Sequence, residues 1–410
     1  MTLDLRYRIH QGWHWGTVGV WIPIMSLFLL DGGLNLFELG LFGAAFGLSN
    51  VLLEVPTGGL ADQYGRVRIY RWALLFNVLA YSLFLFVELT LPAMLAGAML
   101  AGASRALSSG TVDSWYVEQL KLVGRENDTH KALGAAAMWN TIGVAVGALL
   151  GGMLPQWIGI HLSPDNIYFV NVGFVALSYL LLCLVTKLVL HEPELIDNAE
   201  QHTPMSRIVN AVQYIGTDHN LRLILLGRLL FGFALASCEN YWQPGVQLLQ
   251  ENAEQTMILG FITAAFAFAG AIGNGLSSKY TIWLKQHYGL ALWLAFAASS
   301  IFLFLMAKAP NLPLFCCALI GMYACTGLIG PMLKTLTHSL VTNNYRASAM
   351  SLNSLTHQFG GTLSGIGIGW VIQQTTIATG WQLVAIIVVV ATLSMFAIEL
   401  PQSRLQSSTT

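Results

Sequence analysis

Six ionisable side chains stand in apolar surroundings, and their types limit the chemistry open to this chain. Glu54 lies in Leu-Leu-Glu-Val-Pro, Arg105 and Asp113 share one apolar run, Arg228 and Glu239 share another, and His357 lies in a third. Each such group costs about 2.5–3.5 kcal/mol on membrane-insertion scales, so each needs a reason to be there. Desolvation makes a carboxylate a proton carrier, while a guanidinium opposes its protonation or holds an anionic ligand. Glu54 therefore reads either as a proton carrier or as a structural acid beside the bend at Pro56. Arg105 reads as the partner of a carboxylate or an anion, or as an anchor for helix carbonyls. Asp113 is a second candidate coupling acid. On one helix it stands roughly 12 Å along the axis from Arg105, too far to pair directly but close enough to line the same path.

Arg228 and Glu239 are separated by about 1100° of helical rotation and about 16 Å of rise. They share a face without touching, which fits a polar stripe beside a cavity. Arg228, six residues past Arg222, otherwise reads as a cation snorkelling to the cytoplasmic interface. Glu239, next to Asn240, Tyr241, Trp242 and Gln243, fits an interfacial belt or a cavity mouth. Trp139, Asn140, His357 and Gln358 are candidate substrate contacts because they adjoin glycine-rich helix faces. His357 titrates near neutral pH if solvated, and is otherwise a hydrogen-bonded anchor.

The elements that must carry these groups are membrane helices. The 410 residues are 55% hydrophobic and only 10% charged, with a mean hydropathy of +0.62, whereas a soluble domain carries about 25% charged residues. Apolar runs near twenty residues call for helices; barrel strands would alternate over about ten. About twelve spans are predicted, at 11–30, 37–60, 69–90, 92–120, 132–155, 167–190, 219–242, 257–280, 288–308, 312–335, 347–374 and 377–399. The first run is followed by further spans, so it reads as a retained helix and not a cleaved leader. The polar stretch from His191 to Asn220 divides the spans into six and six. The domain expectation is a bundle over 1–190, a linker over 191–218 with one interfacial helix near 205–214, and a second bundle over 219–410.

Among 19 Lys and Arg, Lys308 alone falls at the boundaries on one side, and Arg105 and Arg228 fall inside spans. The others gather on the opposite side, which places both termini in the cytoplasm. The net charge of −1 gives no basic footprint for nucleic acid. The five cysteines lie in apolar segments without a CxxC spacing and read as small buried residues.

Two patterns remain. Residues 58–68 read Gly-Gly-Leu-Ala-Asp-Gln-Tyr-Gly-Arg-Val-Arg, a charged turn between spans two and three. Span five holds Gly143, Gly147 and Gly151 at four-residue spacing, followed by Gly152, and span eleven holds Gly361, Gly365 and Gly369 at matching places. Small residues at this spacing let helices approach closely, and their recurrence points to a duplicated unit with pseudo-two-fold symmetry.

These residues resemble the major facilitator superfamily over essentially the whole chain. The turn resembles the family's Gly-x-Leu-Ala-Asp-x-x-Gly-Arg-Lys loop, with Val67 in place of the last Lys. The resemblance implies a conformational latch of Gly58, Asp62, Gly65 and Arg66, with Arg66 meeting an acid at the inner end of span four, either Glu118 or Asp113. Span five is similar to the family's antiporter motif, with Ala148 in place of proline. Arg105 and Gly110 are similar to the family's Arg-x-x-x-Gly motif, with the glycine one residue late.

The expectation is an all-α membrane protein that acts as a proton-coupled exporter of an amphiphilic small molecule in the bacterial inner membrane. It is expected to be a monomer with no cofactor, using the proton gradient as its energy source. No P-loop, HExxH or nucleophile elbow is present, which disfavours ATP-driven transport and an intramembrane enzyme. A dedicated metabolite or siderophore exporter, an uptake symporter, and a non-transporting receptor or scaffold are the alternatives.

Overall fold

The computed structural model describes residues 2–58, 60–162, 166–191, 218–250, 255–279, 287–341 and 345–397. Regular structure among them is entirely helical. The first unit begins with α1 (Leu3–Trp21), capped by the Thr2 hydroxyl, which accepts from the Leu5 amide. A break of three residues around Pro23 separates it from α2 (Met25–Asp31), and the two together make one span. Then follow α3 (Leu36–Gly58), the short α4 (Leu60–Tyr64) and α5 (Arg66–Phe86). Gly65 separates α4 from α5 at φ +94°, a backbone region that a Cβ disfavours. After α6 (Leu91–Ser108) and α7 (Thr111–Leu122) comes α8 (Thr129–Leu154), which runs through a π turn at Pro155–Gly159. The unit's last long helix before the linker is α9 (Phe169–Val189).

The second unit holds α10 (His219–Gln247), α12 (Tyr288–Ala307), α13 (Leu312–Leu340), α14 (Arg346–Gln374) and α15 (Ile377–Thr392), with α11 (Met257–Lys279) between α10 and α12 in the chain. Asp218, Asn311 and Thr376 cap α10, α13 and α15 through side-chain oxygens, satisfying amides that the first turn leaves unpaired. The contacts divide the chain into 1–201 with 250–267, and 202–249 with 268–410.

Among the described residues, ten helices are long and apolar enough to cross a membrane. Large apolar side chains point outward along them, including Leu177, Leu184 and Leu188 on α9 and Ile272 on α11. That distribution suits hydrocarbon as the solvent. The span expected as one helix over 92–120 is instead two. Ser109 leaves helical geometry and Gly110 adopts φ +69°, so Ser-Ser-Gly, poor in helix propensity, ends α6 and restarts the chain as α7. The interfacial helix expected near 205–214 lies outside the described residues.

Each unit is organised around a pair of closely packed helices, α1 with α8 and α10 with α14. In the first pair a Cβ on Gly143, Gly147 or Gly151 would strike the carbonyl of Gly12, Gly16 or Val20, and one on Gly19 would strike that of Val144. In the second pair the close approach runs through Gly232 against the His357 carbonyl and Gly360 against that of Leu229. The tightest contact therefore passes beside Gly361, where a Cβ would meet the Ala236 side chain at 3.4 Å and the Gly232 carbonyl at 3.8 Å, ordinary van der Waals distances.

Candidate transport site

The α1–α8 packing leaves the other faces of α1 to polar groups. Tyr7, His10, Gln11, His14 and Thr17 recur at three- and four-residue spacing and are all buried, so one turn stacks on the next. His10 Nε2 lies 2.9 Å from Thr186 Oγ1 on α9, and His14 Nδ1 lies 3.0 Å from Tyr70 Oη on α5. Trp13 Nε1 donates to Ser178 Oγ at 2.9 Å. These bonds tie α1 to both neighbours inside the first unit.

Arg105 lies in the last turn of α6, exposed, with its guanidinium carbon 5.7 Å from the centre of the Trp15 ring. A cation at a helix C-terminus faces unpaired carbonyls, and one over an indole gains a further attraction. Among ionisable neighbours the Glu54 carboxylate on α3 acts on it most strongly, followed by Tyr179 and Asp113. The structure thus brings Glu54, Arg105 and Asp113 into one electrostatic group.

Asp113 is in the first turn of α7, where the helix end favours a negative charge. Tyr7 Oη and Gln11 Nε2 both donate to its Oδ1, at 2.5 and 2.8 Å. Tyr7 also stacks on Tyr116 of α7, with ring centres 3.9 Å apart. The break at Gly110 makes this possible, because it gives α7 its own N-terminus beside α1. Of the two acids expected to meet Arg66, Glu118 is the one within reach, at 2.8 Å from Arg66 Nη2. The backbone around Asp62 is helical, and its side chain lies outside the described detail.

In the second unit Arg228 is buried, at 6% exposure. The reading of a cation reaching an interface is corrected by that burial: the guanidinium sits 6.0 Å from the Phe231 ring, against α14. His357 stacks on the same ring at 5.0 Å. Glu239 is exposed, with Tyr323 of α13 in its electrostatic reach. The expected stripe is therefore divided, because α14 covers α10 closely at Gly232 and leaves Glu239 beside α13. Gln358 is half-buried on α14, and its backbone carbonyl accepts from Thr362. On α8, half-buried Trp139 packs over Gly12, and Asn140 Oδ1 is buried without a hydrogen-bond partner.

Trp15 and the stripe of Tyr7, His10, Gln11 and His14 were not among the candidates read from the sequence. Their signal was available: Tyr7, His10, Gln11 and His14 recur at helical spacing ahead of the first apolar run and into its start. It was obscured because α1 begins at Leu3, ahead of the expected start at 11.

The family model described as Major Facilitator Superfamily matches residues 14–365. A Bacillus subtilis (strain 168) protein described as the uncharacterized MFS-type transporter YxaM is 24% identical over 378 residues, covering 91% of this chain and 89% of that protein. Among solved structures, the nucleoside transporter NupG superposes with a TM-score of 0.79 at 16% identity, covering 97% of this chain and 99% of NupG. The fucose:proton symporter FucP of E. coli does so with 0.60 at 15% identity, covering 97% and 98%. At these identities the solved structures share the fold. The match over most of its length shows that this multi-pass membrane protein belongs to the major facilitator superfamily and is a secondary transporter.

Proposed function

We propose that the protein is a proton-coupled exporter of an amphiphilic small molecule, in the bacterial inner membrane, with both termini cytoplasmic. Two six-helix halves, 1–190 and 219–410, joined by 191–218, work by alternating access. Proton binding at Glu54 biases which side is open. The observation that carries this reading is the exposed Arg105 under Trp15, with Glu54 as its strongest charged neighbour. A protonated Glu54 no longer compensates Arg105, so the two charge states favour different arrangements around α6. Asp113, fixed by Tyr7 and Gln11, is the second acid of the group. Export is supported by the glycine face of α8, whose motif resembles that of antiporters and whose backbone packs directly on α1.

Uptake by proton symport is the second reading, favoured by the fold shared with FucP. Proteoliposomes carrying a pH dye decide between the two. Substrate added outside an antiporter drives protons the opposite way, and a symporter moves them with the substrate. Glu54→Gln is expected to abolish substrate-driven proton flux while exchange of substrate for substrate persists. Unchanged flux in that variant would remove Glu54 from the mechanism.

A further inference from the structure

The first unit holds a second charged site, separate from the Glu54–Arg105 group. Asp4 and Arg8 near the start of α1, Arg125 and Asp128 between α7 and α8, and Lys131 and Ala132 at the start of α8 line a pocket of about 200 Å³. Arg125 fixes its wall. Nη1 and Nη2 donate to the two oxygens of Asp4 at 3.1 and 3.2 Å, and Nε donates to Asp128 Oδ2 at 2.9 Å. Tyr116 Oη adds a bond to Asp4 at 2.9 Å. The Asp4 and Asp128 carboxylates hold the Arg125 proton more firmly than an isolated guanidinium does.

Three cations thus face two carboxylates; Arg125 bonds to both, and Arg8 acts on Asp4 only at longer range. Among the described residues, no carboxylate comes within ion-pair distance of Arg8 or Lys131. Arg8 Nε is moreover buried without a hydrogen-bond partner, and an unpaired buried donor on a charged group is costly. The pocket has room for a few waters, at about 30 Å³ each, or for one tetrahedral oxyanion. It lies on the cation-rich side of the chain, where anionic headgroups accumulate.

We propose that this pocket binds a phosphate-type oxyanion, with Arg8 and Lys131 as its donors and the Arg125 clamp as its rigid wall. A guanidinium and an ammonium converging on one small cavity suit tetrahedral oxygens. The phosphate comes either from an anionic phospholipid headgroup, which the zwitterionic phosphatidylcholine does not offer, or from a soluble phosphate. The site does not depend on the direction of transport or on the role of Glu54.

The test uses the full-length protein in phosphatidylcholine nanodiscs, with tryptophan fluorescence reporting thermal unfolding. In one arm inorganic phosphate is titrated against chloride at matched ionic strength. In the other, phosphatidylglycerol replaces part of the phosphatidylcholine. Stabilisation of the wild type in the first arm identifies a soluble ligand, and in the second a lipid. Arg8→Gln or Lys131→Gln is expected to weaken the effective arm about tenfold in apparent Kd, as for loss of one charge-assisted bond. Lys121→Gln, which removes the same charge outside the pocket, is expected to leave it unchanged. The proposal fails if neither arm stabilises the wild type, if both pocket variants respond as the wild type does, or if Lys121→Gln loses as much.

Discussion

Arg66 Nη2 meets Glu118 Oε1 at 2.8 Å, joining the first residue of α5 to the middle of α7. The side chains are 23% and 41% exposed, so water screens the pair and it contributes about 0–1 kcal/mol to stability. Its value lies in position, as a breakable link between two helices. Arg66→Ala or Glu118→Gln is expected to slow turnover severalfold with little change in Tm or in apparent KM. The reversed pair, Arg66→Glu with Glu118→Arg, is expected to recover much of the rate. A loss of affinity at constant turnover would mean that the loop touches substrate.

Arg105 and Trp15 make a separable contribution. Arg105→Lys keeps the charge beside Glu54 but loses the planar cation over the indole, a contact worth about 0.5–2 kcal/mol. Arg105→Ala removes the guanidinium on which the Glu54 carboxylate acts. Proton flux in proteoliposomes is expected to be reduced in the first variant and abolished in the second. Equal flux in both would show that the charge itself is dispensable.

The bonds from Tyr7 and Gln11 to Asp113 hold α7 against α1. Tyr7→Phe removes one donor and keeps the stack on Tyr116, which should cost about 1–2 kcal/mol. Hydrogen exchange is expected to quicken across 111–122 and to stay unchanged in α9. Uniform change across the first unit would indicate general loosening instead of a local clasp.

Two glycines of α8 separate space from propensity. A Cβ at Gly147 would collide with the Gly16 carbonyl, while one at Gly134 meets nothing within 4 Å. Gly147→Ala is expected to cost about 1–3 kcal/mol through forced separation of α1 and α8. Gly134→Ala is expected to gain about 0.5–1 kcal/mol from helix propensity. Thermal unfolding in detergent reads both, and a neutral Gly147→Ala would mean that the pair has slack.

Much of the architecture followed from the chain alone. Apolar run length forces helices, because no other open structure satisfies its backbone in lipid. The turn at 58–68 and the spacing of Gly143, Gly147 and Gly151 depend on neighbours one or two turns away, so they too were visible. Glu118 as the partner of Arg66 was one of two acids open to the sequence, and only the fold chose it. The break at Gly110 depended on a left-handed residue that an apolar average conceals. What tertiary structure decided was which distant groups share a space: Glu54 with Arg105, Tyr7 and Gln11 with Asp113, and Arg125 with Asp4. These pairings join helices far apart in sequence, and their distances follow from how helices cross and how closely glycine lets them approach, which no local spacing encodes.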